Sequence, residues 1–164
     1  MDNQNVTSET PAGWGIVIVE GDTGLGKGAG EILEEISGLV ITDVTNSDWF
    51  GAEVGSNNTA ELSAFLQALR WILANPNSER YCIKTDSTYA GNIVAGNWKA
   101  KQNLDLVRKT KAFWDEVNDV CMIRWEHVRA HTGHRWNERA DHLAIRAASK
   151  KAPIPLSFWK PGQR

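Results

Sequence analysis

Val128-Arg129-Ala130-His131-Thr132-Gly133-His134-Arg135-Trp136-Asn137-Glu138-Arg139-Ala140-Asp141-His142-Leu143-Ala144 passes from a loop rich in cationic and proton-carrying side chains into a helix that bears a carboxylate. Asn137 has the chemistry of an N-cap, and Glu138 falls in the first turn, where the helix dipole favours an acid. Ala140, Leu143, Ala144 and Ala147 then repeat at helical spacing. The stretch therefore predicts a helix starting at Asn137, with Asp141 one turn in. Glu138 and Asp141 share a face and repel each other, and a metal ion would relieve that. A lone Asp on a surface helix usually faces water, so Asp141 gains meaning only beside other carboxylates.

Ahead of this stretch, residues 121–128 alternate Ile123 and Trp125 against Arg124 and Glu126, the pattern of a strand. Asn103 heads a helical segment carrying Leu104, Val107, Phe113, Trp114 and Val117. Tyr81-Cys82-Ile83-Lys84-Thr85-Asp86 reads as another strand, followed from Ser87 by a helical segment through Ala95, with Gly96 as its C-cap. Asn58-Thr59-Ala60-Glu61 looks like a capping box, and Leu62, Phe65, Leu66, Leu69, Ile72 and Leu73 follow at helical spacing until Asn75-Pro76. Further back, residues 49–54 read as a short strand. Residues 32–41 form an apolar strand, with a short helix over 31–36 as the local competitor. The β-branched run Gly15-Ile16-Val17-Ile18-Val19 closes at the turn signals Gly21-Asp22. The order strand, strand, strand, helix, strand, helix, helix, strand, helix predicts an α/β domain, a mixed sheet covered by helices. Residues 1–13 read as a polar N-terminal segment, 14–152 as the domain and 153–164 as a tail.

The 164 residues, 41% of them hydrophobic, suffice for one core and not comfortably for two. A formal net charge of -2 supplies no global positive field, so nucleic-acid contact would need a local basic patch. The sequence has neither an apolar run of membrane-spanning length nor a secretory-type N-terminus. The expectation is an intracellular protein, cytoplasmic or nuclear, not secreted and without a membrane partner. Cys82 and Cys121 each lie in an apolar strand-like run, which argues against a disulfide framework. Most of the eight tryptophans sit at core-like spacing.

Three carboxylates occupy meaningful places: Glu61 at the start of the long helix, Asp86 at the C-terminal end of a strand, and Asp141 on the last helix. In open α/β sheets, sites form at the carboxyl ends of strands. Singly, each has a plainer role: Glu61 can close the capping box with Asn58, and Asp86 can cap the helix that follows. Two rival chemistries are also legible. Gly21-Asp22-Thr23-Gly24-Leu25-Gly26-Lys27-Gly28 nearly spells a P-loop for a nucleotide, but Gly28 stands where a Ser or Thr should hold Mg²⁺. His127, His131, His134 and His142 raise zinc, without a fitting Cys or Glu ligand set.

Asn57-Asn58-Thr59-Ala60-Glu61-Leu62, Lys84-Thr85-Asp86-Ser87-Thr88-Tyr89 and the run from His131 to Asp141 closely resemble, in order and wording, the ribonuclease H type 1 family. The wording is especially similar to ribonuclease H domains attached to reverse transcriptases of non-LTR retroelements. The resemblance spans most of the chain. It implies a five-stranded mixed sheet in strand order 3-2-1-4-5, and hydrolysis of the RNA strand of an RNA/DNA hybrid. It implies Glu61, Asp86 and Asp141 as ligands of two Mg²⁺ ions, with Mn²⁺ as a possible substitute, and His131 as the loop histidine that moves protons or helps release product. Asn57 and Asn58 match residues that reach the minor groove and the RNA 2′-hydroxyls, and Ser87 joins the substrate set. Trp98-Lys99-Ala100-Lys101 looks like a shortened basic handle, continued by Arg108, Lys109 and Lys111. Implied partners are the hybrid and, in a longer parent polypeptide, a reverse transcriptase; the chain is expected to be a monomer.

The residue types suit the chemistry. Clustered acids remain ionised together only with divalent cations among them, and two such ions can activate water on one side of a phosphate and stabilise the leaving oxygen on the other. The sequence departs from the family at its start, where a central strand should end in an Asp-Gly-Ser type motif whose Asp is a fourth ligand. Nothing strand-like precedes Trp14, and Asp2, followed by Asn3-Gln4, is the nearest candidate for that ligand. The expectation is an N-terminally truncated copy with the first central strand absent, two unpaired inner sheet edges and poor activity. A non-catalytic hybrid-binding or RNA-binding remnant is the alternative.

Overall fold

The computed structural model describes residues 7–76 and 80–164. Gly13–Glu20 (β1) and Glu31–Leu39 (β2) pair antiparallel, with Ile16 opposite Ile36. Asn57–Ala74 (α1) follows a long loop, then Arg80–Thr85 (β3), Thr88–Val94 (α2), Leu104–Val120 (α3), Met122–His127 (β4) and Arg135–Ala148 (α4). β3 and β4 are parallel, with Ile83 beside Trp125. Strands of both polarities flanked by helices give the expected α/β architecture, but the sheet is in two halves. β2-β1 and β3-β4 are separate pairs, and among the described residues no ladder joins β1 to β3. A cavity of about 1120 Å³ lies between them, walled by both strands, by one face of α1 and by one face of α4.

The main core lies around α1. Leu62, Phe65, Leu66, Leu69 and Ile72 pack with Ala90, Ile93 and Val94 of α2 and Leu106, Val107 and Val117 of α3. Tyr81, Ile83, Ile123 and Trp125 of the parallel pair close on the same cluster. The apolar repeat that predicted α1 is thus its buried face. The antiparallel pair is held instead by α4. A Cβ at Gly15 would lie 2.5 Å from the Ala140 carbonyl oxygen and 2.7 Å from Leu143 Cβ, so helix and strand touch backbone to backbone there. Arg139, 2% exposed, clamps the contact with a two-pronged bond to Glu35, at 2.6 and 3.0 Å. Its Nη1 also donates to the Ile154 carbonyl. The last residues fold back on α4: Trp159 is buried, and the Ile154 N–H donates to His142 Nε2 at 3.0 Å.

Several local expectations change. Residues 49–54 form no strand: Gly51 adopts φ +113 against the backbone of Asp105 and Leu106, and the Trp49 indole donates back to the Ala52 carbonyl. The competing helix over 31–36 gives way to β2, whose backbone is committed to β1. The capping box of α1 is Ser56 with Thr59, the two side chains and backbone N–H groups bonding reciprocally, and not Asn58 with Glu61. Asn103 stands at the cap of α3 with φ +56 and makes no side-chain cap bond. α4 begins two residues early, at Arg135, because His134 Nδ1 takes the capping role by accepting the Asn137 N–H at 3.3 Å. The P-loop reading fails on connectivity: loop 21–30 leads into β2, whereas phosphate binding by such a loop needs a helix N-terminus behind it.

Gly15→Ala should lower stability by about 1–3 kcal/mol through overpacking against α4, read as a lowered urea midpoint with an unchanged slope.

Candidate active site

Three elements bring Glu61, Asp86 and Asp141 to the rim of the cavity. Glu61 is the fifth residue of α1, past the cap, so its carboxylate is not used to close the helix end. Asp86 follows the last residue of β3, where parallel pairing with β4 ends. Asp141 lies midway along α4. The groups feel one another: burial first, and then the charges of Asp86 and Asp141, push the Glu61 carboxyl up from 4.5 to about 7. A hydrogen bond from Thr85 draws it down in part. Burial also raises Asp141, with the charges of Asp86 and Glu138 adding to the effect; Arg164 and His131 oppose it.

Neighbouring side chains orient this cluster. Thr85 Oγ1 accepts the Ser87 N–H at 3.0 Å, which places its hydroxyl proton toward Glu61. Asn137 Nδ2 donates to Asp86 Oδ2 at 3.2 Å and so ties α4 to the end of β3. His131 is exposed in the loop before α4, at φ +56. One ligand atom each from His131, Glu138 and Asp141 lies within 4.8 Å of the others. Glu61 and Asp86 are not part of that group; their charges act on the same rim, and carboxylate oxygens are the hard, anionic donors that suit a divalent cation such as Mg²⁺. The four-histidine zinc reading is not met: His134 caps α4, His142 is held between Ile154 and Gln163, and only His131 joins a ligand group among the described residues.

Asn57 and Asn58 open α1 just ahead of Glu61, Asn57 exposed and Asn58 half-buried. Ser87 Oγ is committed to capping α2, accepting the Ala90 N–H at 3.0 Å. Trp98, Lys99 and Lys101 stand exposed on the loop between α2 and α3 and line no part of the cavity. Of their basic neighbours, Lys109 sits 5.0 Å over the Trp49 ring and Arg108 pairs with Asp105, while Lys111 is exposed. Asp2 lies outside the described residues. Sequence reasoning gave Asn137 only a capping role and Thr85 none. The usable signal for Asn137 was its spacing, one helical turn before Asp141 on the same face.

A family model described as RNase H matches residues 5–149. Ribonuclease H of Anaplasma marginale (strain St. Maries) is 32% identical over 155 residues, covering 88% of this chain and 85% of that protein. Ribonuclease H of Cupriavidus pinatubonensis is 33% identical over 128 residues, covering 70% and 85%. Among solved structures, RNase H1 from the halophilic archaeon Halobacterium salinarum NRC-1 superposes with a TM-score of 0.62 at 23% identity, covering 92% of each chain. LC11-RNase H1 in complex with an RNA/DNA hybrid gives 0.62 at 20% identity, covering 91% and 92%.

The raised Glu61 carboxyl sets a pH dependence in metal-free buffer. Below about 4.5 the folded and unfolded chains both hold the proton; between 4.5 and about 7 only the folded chain keeps it, so stability falls as pH rises through that window. Glu61→Gln should therefore raise the unfolding free energy at pH 8 by at most about 3 kcal/mol, read as a higher denaturant midpoint, and leave it unchanged at pH 4.

Proposed function

The chain belongs to the ribonuclease H family, and from that premise we propose that it hydrolyses the RNA strand of RNA/DNA hybrids with two divalent cations held by Glu61, Asp86 and Asp141. The observation that carries this reading is the convergence of three carboxylates from α1, the end of β3 and α4 on one rim, where the charge of Asp86 raises the proton affinity of both Glu61 and Asp141. Bound there, Mg²⁺ or Mn²⁺ would supply a polarised water and a counter-charge for the leaving 3′-oxygen. The chain's own groups do the rest. Asn137 fixes the Asp86 carboxylate, and Thr85 keeps Glu61 aimed inward. His131, exposed in the loop before α4 and near Asp141, takes or returns a proton at the phosphate. Asn57 and Asn58, one turn from Glu61, reach the RNA 2′-hydroxyls, and Ser87 completes that contact through its hydroxyl, which accepts the Ala90 N–H and keeps its proton to donate. Trp98, Lys99 and Lys101 grip the backbone of the hybrid at a distance.

We infer further that turnover by this chain alone is low. The cavity between β1 and β3 supports this, because a central strand there would join the half-sheets and bring a fourth carboxylate to the rim. On the same reading the natural setting is intracellular, as a monomeric unit beside a reverse transcriptase in a parent polypeptide. A non-catalytic hybrid binder is the second reading, favoured by the divided sheet.

Cleavage of a labelled RNA/DNA hybrid decides between them. Mg²⁺-dependent cutting that falls at least about 100-fold in Asp86→Asn and Glu61→Gln is expected, and grafting an upstream strand that ends in Asp should raise the rate. Retained binding with no Mg²⁺-dependent cutting, with or without the graft, would favour the binder. Lys99→Glu and Lys101→Glu should each weaken hybrid binding and lower the slope of log K against log salt by roughly one.

A further inference from the structure

We propose that Arg164, carried on the folded-back segment 153–164, binds a phosphate of the RNA/DNA hybrid beside Asp141 and so positions the substrate at the catalytic rim. The proposal rests on the hybrid reading above and adds a contact from outside the site's motifs. Charge is the first support. Residues 142–164 hold five of the eighteen Lys and Arg residues, namely Arg146, Lys150, Lys151, Lys160 and Arg164, and none of the twenty Asp and Glu residues. In a chain of net charge -2, such a run supplies the local positive patch that a polyanion requires.

Hydrogen bonds fix where this run lies. The Ile154 N–H donates to His142 Nε2 at 3.0 Å, so in the neutral ring Nδ1 carries the proton and donates to the Gln163 carbonyl at 3.1 Å. The Trp159 indole donates to the same carbonyl at 3.0 Å, and Arg146 Nη2 donates to the Arg164 carbonyl at 3.1 Å. Trp159 itself is buried, with the Arg135 and Arg139 guanidinium groups 5.5 and 5.3 Å from its ring centre, and this anchors the segment. His142 and Arg146 share a face of α4, one residue round from the face that carries Asp141. The backbone at residues 163 and 164 therefore runs beside Asp141. Burial raises the Asp141 carboxyl, and the Arg164 charge is the foremost of those opposing the rise, which places the guanidinium near the rim. Yet Arg164 forms no ion pair among the described residues, so its five N–H donors remain available to a ligand. Guanidinium meets phosphate through two parallel hydrogen bonds, which fix orientation as well as distance. A phosphate held there lies next to a carboxylate assigned to the cations, where the nuclease reading puts the scissile strand.

The test is hybrid binding by the whole chain in metal-free buffer, read by fluorescence anisotropy of a labelled RNA/DNA duplex over a salt series. The bond that holds residue 164 uses its backbone carbonyl, so side-chain substitutions leave the segment folded. Arg164→Gln should lower the slope of log K against log salt by roughly one and weaken binding about eightfold at about 0.1 M salt. Arg164→Lys should keep the slope and bind with intermediate affinity, having the charge without the fork. Lys151, whose N–H donates to the Arg146 carbonyl at the far end of α4, is the control, and Lys151→Gln should have the smaller effect. Equal effects of Arg164→Gln and Lys151→Gln overturn the proposal, because the run then acts only as a diffuse field. Unchanged hybrid binding by Arg164→Gln also overturns it, and tighter Mg²⁺ binding by that variant in calorimetry would then make the guanidinium a counter-charge for Asp141. Binding without cleavage counts against the nuclease reading alone, and hybrid binding insensitive to Arg164 counts against this contact alone. A chain that binds no hybrid overturns both.

Discussion

A β-strand has hydrogen-bonding groups along two edges, and among the described residues the strands at the middle of this molecule form a ladder along only one of them. β1 is bonded to β2 and β3 to β4, and no ladder crosses between the pairs among the described residues. Side chains must therefore do what a continuous sheet normally does. The α1 cluster holds the parallel pair, and the close approach of Gly15 to α4, with the Arg139–Glu35 clamp, holds the antiparallel pair. Among the described residues the polar ties between the halves include Lys84 to Asp22 at 3.1 Å, the Trp71 indole to Glu34 at 2.6 Å, and Asn137 to Asp86. An ion pair such as the first contributes on the order of 1 kcal/mol or less, far below what a ladder of backbone bonds provides. The two halves are thus coupled through α1, which packs against β1, and through α4, which packs on the antiparallel pair and is tied at its start to the end of β3.

That division governs the carboxylates. Glu61 and Asp86 belong to the half built on α1 and the parallel pair, while Asp141 sits on the helix that carries the other half. Two like charges 4 Å apart repel by about 4 kcal/mol at an effective dielectric near 20. The fold offsets such repulsion with the Thr85 and Asn137 hydrogen bonds and the nearby Arg164 charge, and otherwise by keeping a proton on Glu61 up to about pH 7. A divalent cation would replace that proton, so the cluster's electrostatic strain and its affinity for metal are one quantity seen from two sides.

Most of the elements were legible because their signals are local. The Leu62, Phe65, Leu66, Leu69 spacing and the β-branched run of β1 need no knowledge of the rest of the chain. Helix starts were misplaced by one to two residues, because Ser56 and His134 cap as well as Asn58 and Asn137, and only the backbone angles decide which residue is outside the helix. Residues 49–54 carry strand-like aromatic and small side chains, yet Gly51 is bent by a contact with α3, which sequence spacing cannot report. The site was legible through its carboxylates. The roles of Asn137 and Thr85 were hidden, since each depends on a bond to a residue of another element or on the direction of one hydroxyl.

The cavity and the carboxylates share a wall, and this makes their occupancies interdependent. Burial is already the largest cause of the raised Glu61 and Asp141 carboxyls. An apolar strand filling the cavity would desolvate them further and favour the protonated forms, which oppose cation binding. A strand that ended in a carboxylate at the rim would add anionic donors, and then the desolvation would strengthen the attraction between those donors and a cation. Linkage makes the effect reciprocal: a strand that improves cation binding is itself held more tightly when the cation is present, and one that lacks the acid is held less tightly. The chemistry at the end of the strand, more than the fit of its apolar side chains, therefore decides whether completing the sheet also completes the site.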